Sequence, residues 1–180
     1  MSSTQYGYSA GQAPPKYVGK LGLGAWFYTA QFDLILPAEA TQEGNAGTYL
    51  LAESLLAAEA GTPDQGLWGF FRVGLANDAV NEIAGYTGAG FSYVGPFRGR
   101  ANDVLGLGVA VAHNGSAFRE RARHNKRPVD AREAAFELTY AMVGASWITL
   151  QADVQYVVNP GMDPTVENAL LVGLRIVAAR

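Results

Sequence analysis

From Trp147 to Val158 the chain alternates with a period of two. Ile148, Leu150, Ala152, Val154, Tyr156 and Val158 fall on one side, and Thr149, Gln151, Asp153 and Gln155 on the other. Successive side chains point to opposite faces only in an extended strand, so this stretch segregates its apolar residues only as β-structure. The same period recurs in Phe136, Leu138, Tyr140 and Met142 against Glu137, Thr139 and Ala141. It recurs in Leu105, Leu107, Val109 and Val111 against Gly106, Gly108, Ala110 and Ala112, and in Leu170, Val172, Leu174 and Ile176 against Gly173 and Arg175. Ala145 and Ser146 alone separate two of these segments, which suits a tight hairpin.

Three earlier segments follow the rule less cleanly. Leu67, Phe71, Val73 and Leu75 oppose Trp68, Phe70 and Arg72; Gly85–Gly95 is glycine-rich and carries Phe91 and Tyr93; Leu21, Leu23, Ala25 and Phe27 oppose Gly22, Gly24, Trp26 and Tyr28. Thr48–Ala60, with its Ala, Leu and Glu, reads as a helix on propensity alone. Counted as a strand it brings the total to about eight, at roughly one per 20 residues, the rhythm of an up-and-down antiparallel barrel. Gaps near 37–45, 76–82, 114–131 and 159–167 then share one rim. Those at 61–65, 96–102 and 145–146 share the other.

The faces are unusual. A soluble barrel fills its inside with bulky side chains and covers its outside with charge. Here one face is continuously apolar, while the other is glycine, small residues and isolated polar groups. Hydrophobic residues make up 49% of the chain and charged residues only 16%, against the ~25% usual for soluble chains. Charge gathers instead in loops such as Arg119–Glu133. In lipid every backbone polar group must be paired, and a closed barrel is the only β solution. The pattern therefore favours a transmembrane β-barrel of outer-membrane type, with lipid against the apolar face. A soluble eight-stranded barrel holding a small apolar ligand is the rival.

No apolar run reaches the ~18 residues of a membrane helix. A net charge of −3 gives no electrostatic case for nucleic acid. The absence of cysteine removes disulfides, thiolate metal sites and cysteine nucleophiles. Residues 1–16, rich in Ser, Gln, Gly and Pro, read as a flexible arm before a barrel segment at 17–180, and they lack the basic and apolar regions of a signal peptide.

Several stretches resemble the carbohydrate-selective porin family of bacterial outer membranes, the OprB-like porins. Phe97–Ala110 (FRGRANDVLGLGVA) is similar to that family's Pro-Gly-Arg-x-x-Asp-x-x-Gly signature, through Arg98-Gly99-Arg100 and Asp103. Arg132–Gly161 resembles its Glu-x-x-x-Glu strand, its tight turn and its Gln-x-Asp-x-Gln-Tyr strand closing on Asn-Pro-Gly. Glu167–Ile176 resembles its final Asn-Ala-x-x-x-Gly-x-Arg strand. The resemblance runs from about Tyr17 to the end and corresponds to the family's C-terminal half. It implies passive diffusion of sugars through a wide outer-membrane barrel of about sixteen strands, usually a homo-oligomer, with no cofactor. It also implies that Thr48–Ala60 is a strand.

The inward set offers Arg72, Glu137, Gln151, Asp153, Gln155 and Arg175, with Trp26, Tyr28 and Trp68 nearby. Carboxylates, amides and guanidinium groups exchange hydrogen bonds with sugar hydroxyls, while aromatic faces cover the apolar C–H face. The competing reading is a structural charge ladder that pairs inside a packed barrel and touches no solute; Glu137, Asp153 and Arg175, on consecutive strands, can pair with each other under either reading. No catalytic constellation is present: Asp153 and Ser146 have no histidine base nearby. His113 and His124 have no ligand-spaced carboxylate, so no metal site is expected. Arg119–Arg132 reads as a solvated loop or short loop helix. An even strand count lets the first and last strands meet, so the expectation is a closed eight-stranded chain whose inward glycines leave room for Trp26, Tyr28 and Trp68 at the centre. Two chains sharing one wider barrel, or a structural half-barrel without transport, are the other outcomes.

Overall fold

A computed structural model describes residues 19–59, 62–145 and 147–178. The expected arm at 1–16 and Ser146 lie outside the described residues. The rest is one antiparallel sheet in sequence order, of eight strands. They are β1 (Gly19–Asp33), β2 (Thr41–Glu59), β3 (Thr62–Ala76), β4 (Ile83–Val94), β5 (Val104–Asn114), β6 (Arg132–Ala145), β7 (Ile148–Val158) and β8 (Ala169–Ala178). One helix, α1 (Ser116–His124), lies in the loop between β5 and β6. No helix among the described residues is long and apolar enough to cross a membrane.

The helix that propensity alone suggests for residues 48–60 is not formed: residues 48–59 lie within the 19-residue strand β2, as the family resemblance implies. Pairing on both sides overrides propensity, because Leu50 faces Leu23 on β1 and Val73 on β3. The expected closure is also corrected. β1 pairs only with β2 and β8 only with β7 among the described residues, so the sheet is open.

Register puts the anticipated apolar residues on one face. Leu107 opposes Leu138, Leu138 opposes Val154, and Val154 opposes Val172. Leu105, Val109, Phe136, Ile148, Leu150, Leu170 and Leu174 share that face. Among the described residues nothing covers it: Leu138 is 50% exposed and Val172 77%. An apolar surface of this extent is far beyond what water tolerates and fits contact with lipid.

The two rims differ. At one, four connections interlock: 34–40, 77–82, 115–131 and 159–168. The Ile35 N–H donates to the Ala79 carbonyl at 2.8 Å, and the Gly115 N–H to that of Glu82 at 2.7 Å. Asn45 and Asn81 exchange amide hydrogen bonds of 3.1 and 2.8 Å. Arg121 of α1 pairs with Glu82 at 2.5 Å, and the Asp130 N–H donates to the Met162 carbonyl at 2.8 Å. The buried hydrophobic residues, Ile35, Phe118, Ala122 and Met162, all belong to this loop layer.

At the other rim the 95–103 connection is pinned to β6. Asp103, only 1% exposed, accepts from Arg100 Nε at 2.7 Å, from the Val143 N–H at 3.0 Å and from the Tyr140 hydroxyl. Burial pushes its carboxyl up, but the bonds from Tyr140, Val143 and Arg100 outweigh burial and hold it below its ordinary value.

Candidate functional site

The face opposite the apolar one is the inner wall. It is built on glycine: Gly22, Gly24, Gly47, Gly74, Gly88, Gly90, Gly106, Gly108 and Gly173 all take the inward register. These glycines do not leave holes to be filled from the centre. Each of several receives a side chain from the strand directly opposite. Tyr49 lies over Gly24, Trp26 over Gly47, Phe70 over Gly90, Thr139 over Gly106 and Asp153 over Gly173. A Cβ at Gly90 would stand 2.7 Å from Phe70 Cε1 and Cζ and 2.5 Å from the Leu107 carbonyl oxygen. Without Cβ atoms in the way, large side chains lie down along the sheet, as in aromatic rescue of glycine. The wall stays thin and the space beside it stays open.

The aromatic residues expected to converge do not. Trp26 and Tyr28 meet on β1, with ring centroids 5.4 Å apart. Trp26 shares a row with Gly47 and Ala76. Trp68 lies on β3 opposite Ser92, eight residues before Ala76 in the strand, or roughly 26 Å away at strand rise. No central aromatic plug forms from these three.

The charged and amide residues do share the wall. Glu137 faces Gln155 directly, and Gln151 faces Arg175. Asp153 occupies the row between them, opposite Thr139 on one side and Gly173 on the other. Glu137, Asp153 and Arg175 thus form a diagonal, one charge per strand. No ion pair joins any two of them among the described residues. Arg72 faces Leu51 and Gly88, with its guanidinium carbon 5.4 Å from the centroid of the Phe70 ring.

Three residues of the wall were not singled out from the sequence. Lys20 faces Glu53, and Glu53 faces Phe70. Glu53 was hidden by the helical reading of its segment. Phe70 was visible in the alternation with Trp68 and Arg72, yet nothing in a single strand marks that its ring lies on glycine. No cluster of metal-ligating residues occurs among the described residues; His124 lies 3.9 Å from Glu120 on the exposed side of α1.

A model of the carbohydrate-selective porin, OprB family, matches residues 3–178. Porin B of Pseudomonas aeruginosa is 28% identical over 143 residues, covering 72% of this chain and 32% of that protein. A structure described as the high pH structure of Pseudomonas putida OprB superposes with a TM-score of 0.82 at 26% identity, covering 89% of this chain and 44% of that one. The chain therefore spans about a third of the length of the curated relative and under half that of the solved one.

Proposed function

The chain belongs to the carbohydrate-selective porin, OprB family, of bacterial outer membranes, and from that premise we propose that it forms part of a barrel wall along which sugars diffuse passively. By class this is a transport channel. Lipid covers the apolar face, and solute moves past the glycine-rich one. The observation that carries the reading is the state of the inner charges. Lys20, Glu53, Arg72, Glu137, Asp153 and Arg175 face inward with no ion pair among the described residues. Their donors and acceptors are left to water and to solute hydroxyls. A packed interior would not tolerate unpaired charges, whereas a water-filled path does. Gln151, Gln155, Trp26, Tyr28 and Trp68 complete the proposed lining, and assembly of several copies is part of the same reading.

The test uses the protein reconstituted in lipid. Liposomes containing it should swell in isotonic glucose, and in planar bilayers Asp153→Asn and Arg175→Gln should move the reversal potential in opposite directions. Inserted protein that gives no swelling would sink the sugar pore. Reversal potentials unmoved by both substitutions would remove these two residues from the aqueous path.

A further inference from the structure

We propose that Phe70, flanked by Glu53, Arg72 and Glu137, is a stacking platform on which a sugar ring rests during passage. This deepens the sugar-pore reading and rests on it. The platform is a property of one row across the sheet. Glu53 faces Phe70, Phe70 faces Gly90, Gly90 faces Gly108, and Gly108 faces Glu137. The Phe70 ring extends from β3 over Gly90 on β4 and reaches β5, where a Cβ at Gly108 would be 3.9 Å from its Cζ. Two glycines in succession thus give the ring a bed without side chains. Beyond its far edge the next strand carries Glu137, about 5 Å away at the usual strand spacing. On the near side Glu53 stands one strand back.

The chemistry suits an uncharged sugar. The ring face is electron-rich and attracts the polarised C–H groups of a pyranose face. Glu53 and Glu137 accept from hydroxyls on opposite sides of the ring, and Arg72 donates. Arg72 is exposed, has no carboxylate partner among the described residues, and stands 5.4 Å from the ring centroid. The guanidinium carbon stands over the ring at cation–π range, with no ion pair to break, so it swings aside when a sugar takes the ring face and then donates to its hydroxyls. A purely structural Phe70 would fill its glycine notch and make no difference to solute.

Glucose-dependent reduction of ion current through the protein in planar bilayers separates these roles, with sorbitol as an acyclic control bearing the same kind of hydroxyls. Phe70→Leu keeps apolar bulk and removes the ring. It should raise the glucose concentration for half block about threefold to tenfold and leave the weaker effect of sorbitol as it was. Phe70→Tyr should stay close to wild type. Wild-type glucose block in Phe70→Leu would overturn the platform while leaving the sugar pore standing. Open wild-type channels that glucose never blocks would overturn the platform while liposomes still swell in glucose, whereas inserted protein that gives no swelling would defeat the sugar-pore reading, and the platform with it. Phe70→Trp retains a ring in the notch and covers the case in which Phe70→Leu fails to fold. Its added indole emission should change saturably with glucose and not with sorbitol, and an emission indifferent to glucose would overturn the platform.

Discussion

Asp103 illustrates how one side chain can hold a connection that glycine-rich backbone would leave loose. Its carboxylate gathers the turn's own Arg100 and two groups of β6, the Tyr140 hydroxyl and the Val143 N–H, while Phe97 packs edge-on against the Tyr140 ring at 5.9 Å. All three partners are donors, so the site requires the charged, acceptor-only form of the acid. A carboxyl held below its ordinary value of 3.8 stabilises the fold fully above that value. The contribution is lost as pH falls through the lowered folded value. Asp103→Asn places an amide donor among donors. It should lower the unfolding midpoint at neutral pH and flatten its acid dependence between about pH 5 and pH 1. Urea or heat unfolding followed across that range measures both. A variant as stable and as acid-sensitive as wild type would show that the turn does not depend on this carboxylate.

At the scale of the strand, alternation decides which residue meets lipid. Leu150 lies between Met142 and Ile176 on the apolar face, and the adjacent Gln151 lies between Ala141 and Arg175 on the inner wall. Arg at position 150, if near the midplane, should cost about 2–4 kcal/mol of barrel stability, and Arg at position 151 much less. Reversible folding into lipid vesicles with each variant measures the difference, and equal tolerance would reject the membrane assignment. Strands β5 to β8 were legible because their period of two is nearly unbroken. β2 was not, because TYLLAESLLAAEA carries good helix formers and only its neighbours impose the extended form. Tyr49, Leu51 and Glu53 point inward there because Gly24, Gly22 and Lys20 await them on β1. The inner set was legible one strand at a time: alternation gave Arg72, Glu137, Gln151, Asp153, Gln155 and Arg175 their face. Which of them become neighbours depends on register between strands, set by turn lengths and by irregularities such as the shift between Leu55 and Ala57. For the same reason the resting place of the Phe70 ring was beyond reach of a single-strand pattern.

The described residues form a wall whose buried apolar side chains sit in the loop layer of one rim. Eight strands closed on themselves would enclose an interior just wide enough for side chains to fill. This wall is lined with glycine and with large side chains laid across it, a surface suited to a wider opening. The edges say the same: neither β1 nor β8 has a partner on its outer side among the described residues. An unpaired strand edge in lipid leaves N–H and C=O groups unsatisfied at several kcal/mol each, so both edges require further strands, from elsewhere in the polypeptide or from another copy. Leu23→Cys combined with Leu174→Cys tests this directly. In the folded protein in detergent, oxidation should not join the two cysteines within one chain, because β1 and β8 are kept apart by the strands between them. Gel mobility with and without reductant reports the outcome. A fast-migrating, internally crosslinked monomer that retains folded, heat-modifiable mobility would mean that β1 meets β8 and that the chain closes on itself. Its glycine-lined interior would then be too narrow for sugar, and the transport reading would have to be abandoned for this chain on its own.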